Sequence, residues 1–106
     1  MFLPTRILLS GHLVRATATL FTRPNCGLCD MAKDTLTQLH KRRPFTFREL
    51  DVMLPGNETW KNAYEFDVPV LHVREDESGE PKKLFHRFTE KEVERVIDSV
   101  EDNKLL

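Results

Sequence analysis

The chain reads as a single α/β domain whose elements follow in the order βαβαββα. Three observations predict this. Two β-prone runs bracket one long stretch of helical periodicity, which calls for a parallel strand pair joined by a right-handed crossover helix. Two further short strands, separated by turn residues, read as an antiparallel hairpin. A capping-box sequence followed by an apolar stripe closes the chain as a helix. At 106 residues and 40% apolar content, the chain can bury one modest core and no more.

The elements follow in order. Ala16–Thr22 alternates and is rich in β-prone residues, so it reads as the first strand. Leu28, Ala32, Leu36 and Leu39 recur at helical spacing and predict a helix over 28–43. Lys41, Arg42 and Arg43 close it, where cations complement the negative end of the helix dipole; the run reads as a solvated helix end. Pro44 prevents continuation. Phe45 and Phe47 alternate, with Leu50 and Val52 apolar behind them, giving a second strand over 45–52. Pro55, Gly56 and Asn57 form a loop with Asn57 as a candidate cap. Trp60, Ala63 and Tyr64 share one face of a short helix, where the aromatic pair reads as core packing. A third strand spans 70–73, and Asp76, Ser78, Gly79 and Pro81 mark the turn to a fourth over 84–88. Thr89, Glu90, Lys91 and Glu92 match a capping box, and Val93, Val96, Ile97 and Val100 form the stripe of the last helix. His12, His40, His72 and His86 read as exposed residues without a role.

Composition narrows the function classes. The formal net charge is −1, so no basic field invites nucleic acid or an anionic membrane surface. No apolar run approaches the roughly 20 residues of a membrane span. Two cysteines do not make a secreted disulfide scaffold, and they favour a reducing compartment where such a pair is catalytic or metal-bound. Residues 1–15 form an N-terminal extension ahead of a domain at 16–102. The extension carries Arg6 and Arg15 and no acid; the first acidic residue of the chain is Asp30. That is how mitochondrial presequences read, with a frayed terminus or an extra edge strand as the alternative and the cytoplasm as the alternative compartment.

The chemistry is concentrated at Cys26-Gly27-Leu28-Cys29. These are the only cysteines, and random placement would give this spacing about once in fifty. A strand, a Pro-Asn turn, then C-x-x-C opening a helix is the geometry of dithiol exchange. The unpaired N–H groups of a helix N-terminus favour negative charge, so Cys26 is the candidate nucleophile with a lowered pKa. Cys29, about one helical turn deeper, is the candidate resolving thiol. Arg23 adds positive charge three residues earlier. Val68-Pro69 begins the strand expected beside the first. A cis bond there would bring Val68 backbone groups opposite Cys26, to hold a substrate peptide in strand-like pairing.

The run Thr19-Leu20-Phe21-Thr22-Arg23-Pro24-Asn25-Cys26-Gly27-Leu28-Cys29, together with Val68-Pro69, resembles the glutaredoxins of the thioredoxin superfamily. Trp60 and Tyr64-Glu65-Phe66-Asp67-Val68-Pro69-Val70 are similar to their small glutaredoxin-like relatives in eukaryotes and bacteria. The resemblance covers about residues 17–100. It implies a thioredoxin-like fold with a four-stranded mixed sheet, three flanking helices and a cis bond at Pro69. It also implies that Arg23 takes the place of the basic residue that holds the glutathione carboxylate. Two departures stand out. Gly27-Leu28 replaces the usual Pro-Tyr or Pro-Phe between the cysteines. His86-Arg87-Phe88-Thr89-Glu90 replaces a Gly-Gly turn and its acidic followers, placing bulk where the backbone approaches glutathione.

The sequence therefore supports a thiol–disulfide oxidoreductase, monomeric, acting on protein or low-molecular-weight thiols. It carries no bound cofactor, with glutathione as a candidate co-substrate. Two alternatives remain open. One is an iron–sulfur cluster or metal carrier, although two thiolates make only half a zinc site. The other is a thioredoxin-fold interaction module with little turnover.

Overall fold

The computed structural model describes residues 15–75 and 79–102. Its elements are β1 (Ala16–Thr22), α1 (Gly27–Arg42), β2 (Thr46–Asp51), α2 (Glu58–Tyr64), β3 (Val70–Glu75), β4 (Lys82–Phe85) and α3 (Glu90–Asp102). The four strands form one mixed sheet in the order β2-β1-β3-β4. β1 and β2 are parallel, while β3 runs antiparallel to both β1 and β4. This is the thioredoxin-like arrangement that the resemblance implied. The predicted fourth strand ends earlier than expected because His86 turns the chain with a φ of 65°. The acid-free extension, apart from Arg15, lies outside the described residues, and so does His12.

β1 is central, and its alternation decides what covers each face. Ala16, Ala18 and Leu20 point to the side of α1 and α3. There they meet Ala32, Leu36 and Leu39 of α1, Val93, Ile97 and Val100 of α3, and Leu71 and Val73 of β3. Phe21 points to the reverse side. It packs with Val52, Tyr64 and Val70, with Leu50, Trp60 and Val68 around them. The smaller reverse cluster is where α2 sits.

The capping box at α3 is reciprocal. The Thr89 hydroxyl accepts the Glu92 N–H at 3.1 Å, and the Glu92 carboxylate accepts the Thr89 N–H at 2.8 Å. Asn57 stands at the N-cap of α2 but does not cap it with its side chain; the amide instead donates to the Asp51 carbonyl at 2.8 Å.

The basic end of α1 is not simply solvated. Arg42 bridges Glu90 and Glu94 of α3 at 3.0 and 3.2 Å. Arg43 pairs with Asp98 and, at 2.8 Å, with Glu101. Glu101 is only 3% exposed. Its other oxygen accepts the Ala16 N–H at 2.9 Å, so one buried carboxylate ties the start of β1 and the end of α1 to α3.

His72 also departs from expectation. It is buried in β3, and its Nε2 lies 2.7 Å from the Tyr64 hydroxyl. Burial, then the charges of Lys83 and Arg74, push its pKa down to about 4.

Glu101→Ala is expected to cost about 2 kcal/mol, since it strands a buried N–H and one side of Arg43 while Asp98 keeps the other. The urea unfolding midpoint measures it. His72 contributes a pH dependence whose direction is fixed. Because its folded pKa lies below its unfolded value near 6.5, the unfolded chain alone binds the proton between them. Stability should therefore fall as pH drops from about 6.5 to about 4. His72→Gln should remove that part of the slope in matched urea titrations.

Candidate active site at the start of α1

β1 ends at Thr22, and Arg23, Pro24 and Asn25 carry the chain over to α1. Asn25 adopts a φ of 59°, a left-handed conformation that Asn tolerates better than most residues. This turn delivers Cys26 to the N-cap of α1 in extended geometry. The Cys26 Sγ accepts the N–H of Cys29 at 3.1 Å, in the place a serine or aspartate oxygen usually takes. A sulfur there faces the positive end of the helix dipole.

The two cysteines are joined as a disulfide with a Cα–Cα separation of 5.2 Å. They differ in access: Cys26 is partly exposed, whereas Cys29 is 1% exposed. Gly27 lies between them with open space around the position of a Cβ.

A polar chain fixes the first turns of α1 to the sheet. The Thr22 hydroxyl donates to Glu49 at 2.8 Å, and Glu49 pairs with Lys33 of α1 at 3.3 Å. Nothing in the sequence marks Glu49 or Lys33, because the contact joins residues from three separate elements.

Arg23 donates from its guanidinium to the Glu65 carbonyl at 3.1 Å, just past the end of α2. That contact holds the β1–α1 loop against the α2 terminus. Val68-Pro69 is cis, as the resemblance implied. Phe21 is paired with Val70, so this bond lies at the same end of the sheet as the cysteines. The Val68 N–H donates to the Tyr64 carbonyl at 3.1 Å, so within an expected peptide pairing only the Val68 carbonyl can serve. The Pro69 carbonyl accepts the His86 N–H at 2.8 Å.

His86 is exposed, and its ring lies 4.0 Å from Asp67. With φ 65° and an Arg87 N–H to Phe85 carbonyl bond of 2.8 Å, it is the centre of a tight three-residue turn. The backbone thus takes a glycine-type conformation at the stretch where glutaredoxins carry Gly-Gly, while the residue itself is bulky. A shallow cleft lined by Leu28, Met31, Thr35, His86, Arg87 and Phe88 runs between α1 and this turn.

Among the described residues no helix is long and apolar enough to cross a membrane. A sequence model of the family described as glutaredoxin-like domain (DUF836) matches residues 17–98. Solved structures share the fold. A mutant thioredoxin from Halobacterium salinarum is 23% identical, with a TM-score of 0.65 over 81% of this chain and 74% of its own. An uncharacterised thioredoxin-like protein from Clostridium perfringens is 16% identical, with a TM-score of 0.71 over 92% and 80%. Oxidised thioredoxin O2 from Arabidopsis thaliana is 16% identical, with a TM-score of 0.63 over 82% and 76%. At these identities the likeness concerns the fold alone.

His86→Gly should relieve the left-handed cost, which is about 1 kcal/mol for a residue with a side chain. A higher thermal midpoint for the variant, with the fold unchanged by circular dichroism, is the expected result.

Proposed function

The chain belongs to the glutaredoxin-like domain family, and from that premise we propose that it is a thiol–disulfide oxidoreductase with Cys26 as nucleophile and Cys29 as resolving thiol. The observation that carries the reading is the unequal placement of the two sulfurs. Cys26 caps α1, where helix N–H groups favour a thiolate, and solvent reaches it. Cys29 sits behind it, buried and within bonding reach.

The exchange proceeds in two displacements. The Cys26 thiolate attacks one sulfur of a substrate disulfide, forming a mixed disulfide and expelling the other sulfur as a thiolate. Cys29 then gives up its proton, attacks the Cys26 Sγ, closes the intramolecular bond and releases the second substrate sulfur. Two electrons pass from the dithiol to the substrate, and an external thiol reductant restores the pair. The Val68 carbonyl and Pro69, at the same end of the sheet, would guide an extended peptide to the sulfur. Arg23 braces the loop that carries Cys26.

Glutathione is the weaker partner in this reading. Where glutaredoxins carry a glycine turn, this chain has His86 and Arg87, whose side chains would crowd an approaching tripeptide backbone. Protein disulfides fit better. Delivery to the mitochondrion belongs to the same proposal and rests on the composition of residues 1–15 alone.

Reduction of a protein disulfide, followed by thiol trapping, tests the assignment. Cys26→Ser should abolish exchange. Cys29→Ser should still form mixed disulfides and accumulate them. Equal behaviour of the two variants would overturn the division of roles, and full turnover by Cys26→Ser would overturn the function.

A further inference from the structure

The reverse face of the sheet holds a cavity of about 550 Å³ that the dithiol chemistry does not use. Its volume falls within the roughly 300–1,000 Å³ typical of small-molecule sites. α2 is seven residues long, about 10 Å, and covers only the end of this face nearest the cysteines. No described helix covers the remainder, although His72 within it is only 8% exposed.

Strand register sets what this part presents. Thr19 is paired with Arg48 on one side and His72 on the other, and His72 is paired with Lys83. Arg48, Thr19, His72 and Lys83 therefore form one row across all four strands, with a cation at each end. The neighbouring row, about 6.7 Å away along the strands, is Leu50, Phe21, Val70 and Phe85. Above it stand Trp60 and Tyr64, their rings stacked at 6.0 Å, with Trp60 4.7 Å from Phe21. One side of the cavity is thus an aromatic wall, and the adjoining side is cationic.

We propose that this face is a second binding site, separate from the dithiol, for a small organic anion with a flat apolar body. The body would lie against Trp60 and Phe21, and the acidic group would point to Lys83, Arg48 and Arg74. Among the described residues the lining carries three cations against one carboxylate, Glu80. Both arginines have other interactions as well, so a ligand meets the summed field rather than an unpaired guanidinium. That field is felt at the cavity floor, where the charges of Lys83 and Arg74 add to burial in holding His72 neutral. Neutral His72, bonded to the Tyr64 hydroxyl, offers a polar floor without repelling cations.

Titration of the full chain followed by two-dimensional NMR tests the site. The probes are naphthoate and naphthyl methanol, which share the rings and differ in the charge. Trp60 is the chain's one tryptophan, so its indole N–H signal needs no assignment by mutation. Naphthoate should shift the Trp60 and His72 signals, raise the His72 titration midpoint, and bind about tenfold tighter than the alcohol. Lys83→Glu, at an exposed position, should remove most of that advantage, and Arg48→Gln part of it. Cys26→Ser should bind naphthoate as the parent does. Equal binding of the two probes, no loss in Lys83→Glu, or shifts confined to the Leu28–Phe88 cleft would each overturn the proposal.

Discussion

Everything in this molecule is referred to one strand. β1 packs on both faces of the sheet and leads directly into the turn that carries Cys26. Its period of two sends Ala16, Ala18 and Leu20 into the α1–α3 layer and Phe21 into the reverse cluster. The small alanines let the helices lie close, and the single large Phe21 anchors α2. A slip of one residue would exchange the two sets. It would also move Cys26 off the N-cap of α1, since only three residues separate β1 from that position. Register and the placement of Cys26 are therefore one constraint.

The features legible in the sequence are those written within a few consecutive residues. The C-x-x-C at a helix start, the Thr89–Glu92 box and the stripe behind it need no knowledge of the rest of the chain. The cis bond at Pro69 was legible only through family resemblance, because a Val-Pro pair by itself is compatible with either isomer. What escaped the sequence depends on distant partners. His72 alternates with apolar residues and looks like an ordinary strand histidine. Only the packing of α2 over β3 supplies the Tyr64 hydroxyl that allows it to be buried. Lys41-Arg42-Arg43 looks like a solvated helix end because local rules account for it fully. The carboxylates that engage Arg42 and Arg43 lie 48 to 58 residues later. Glu101 reads as one more surface acid for the same reason.

His86 shows how a departure from family pattern can be half real. The side chain differs from the glycines expected there, yet the backbone has a positive φ of 65°, which glycine adopts more readily than other residues. The carbonyl of Pro69 holds the His86 N–H in place, so the turn and the Val-Pro bond fix each other. A strained residue is kept because the surrounding hydrogen bonds over-determine it. The His86 side chain lines the cleft beside Leu28, while the turn beneath it is held by the Pro69 carbonyl.

The two faces of the sheet place different demands on the same strands. At the dithiol end, a partly exposed sulfur stands over a buried one, and the α1–α3 core holds the helix that carries them. On the reverse face, a seven-residue α2 covers only part of the sheet, although Thr17 and His72 are still buried there. A sheet face that no helix covers normally carries polar side chains, because it stays solvated. Here the row beyond Phe21 is Arg48, Thr19, His72 and Lys83. His72 in that row is held neutral first by its burial and then by the charges of Lys83 and Arg74. Solvation accounts for the cations of that row and the Tyr64 hydroxyl accounts for its buried imidazole; the aromatic wall of Trp60 and Phe21 beside them is what the proposed occupant would cover.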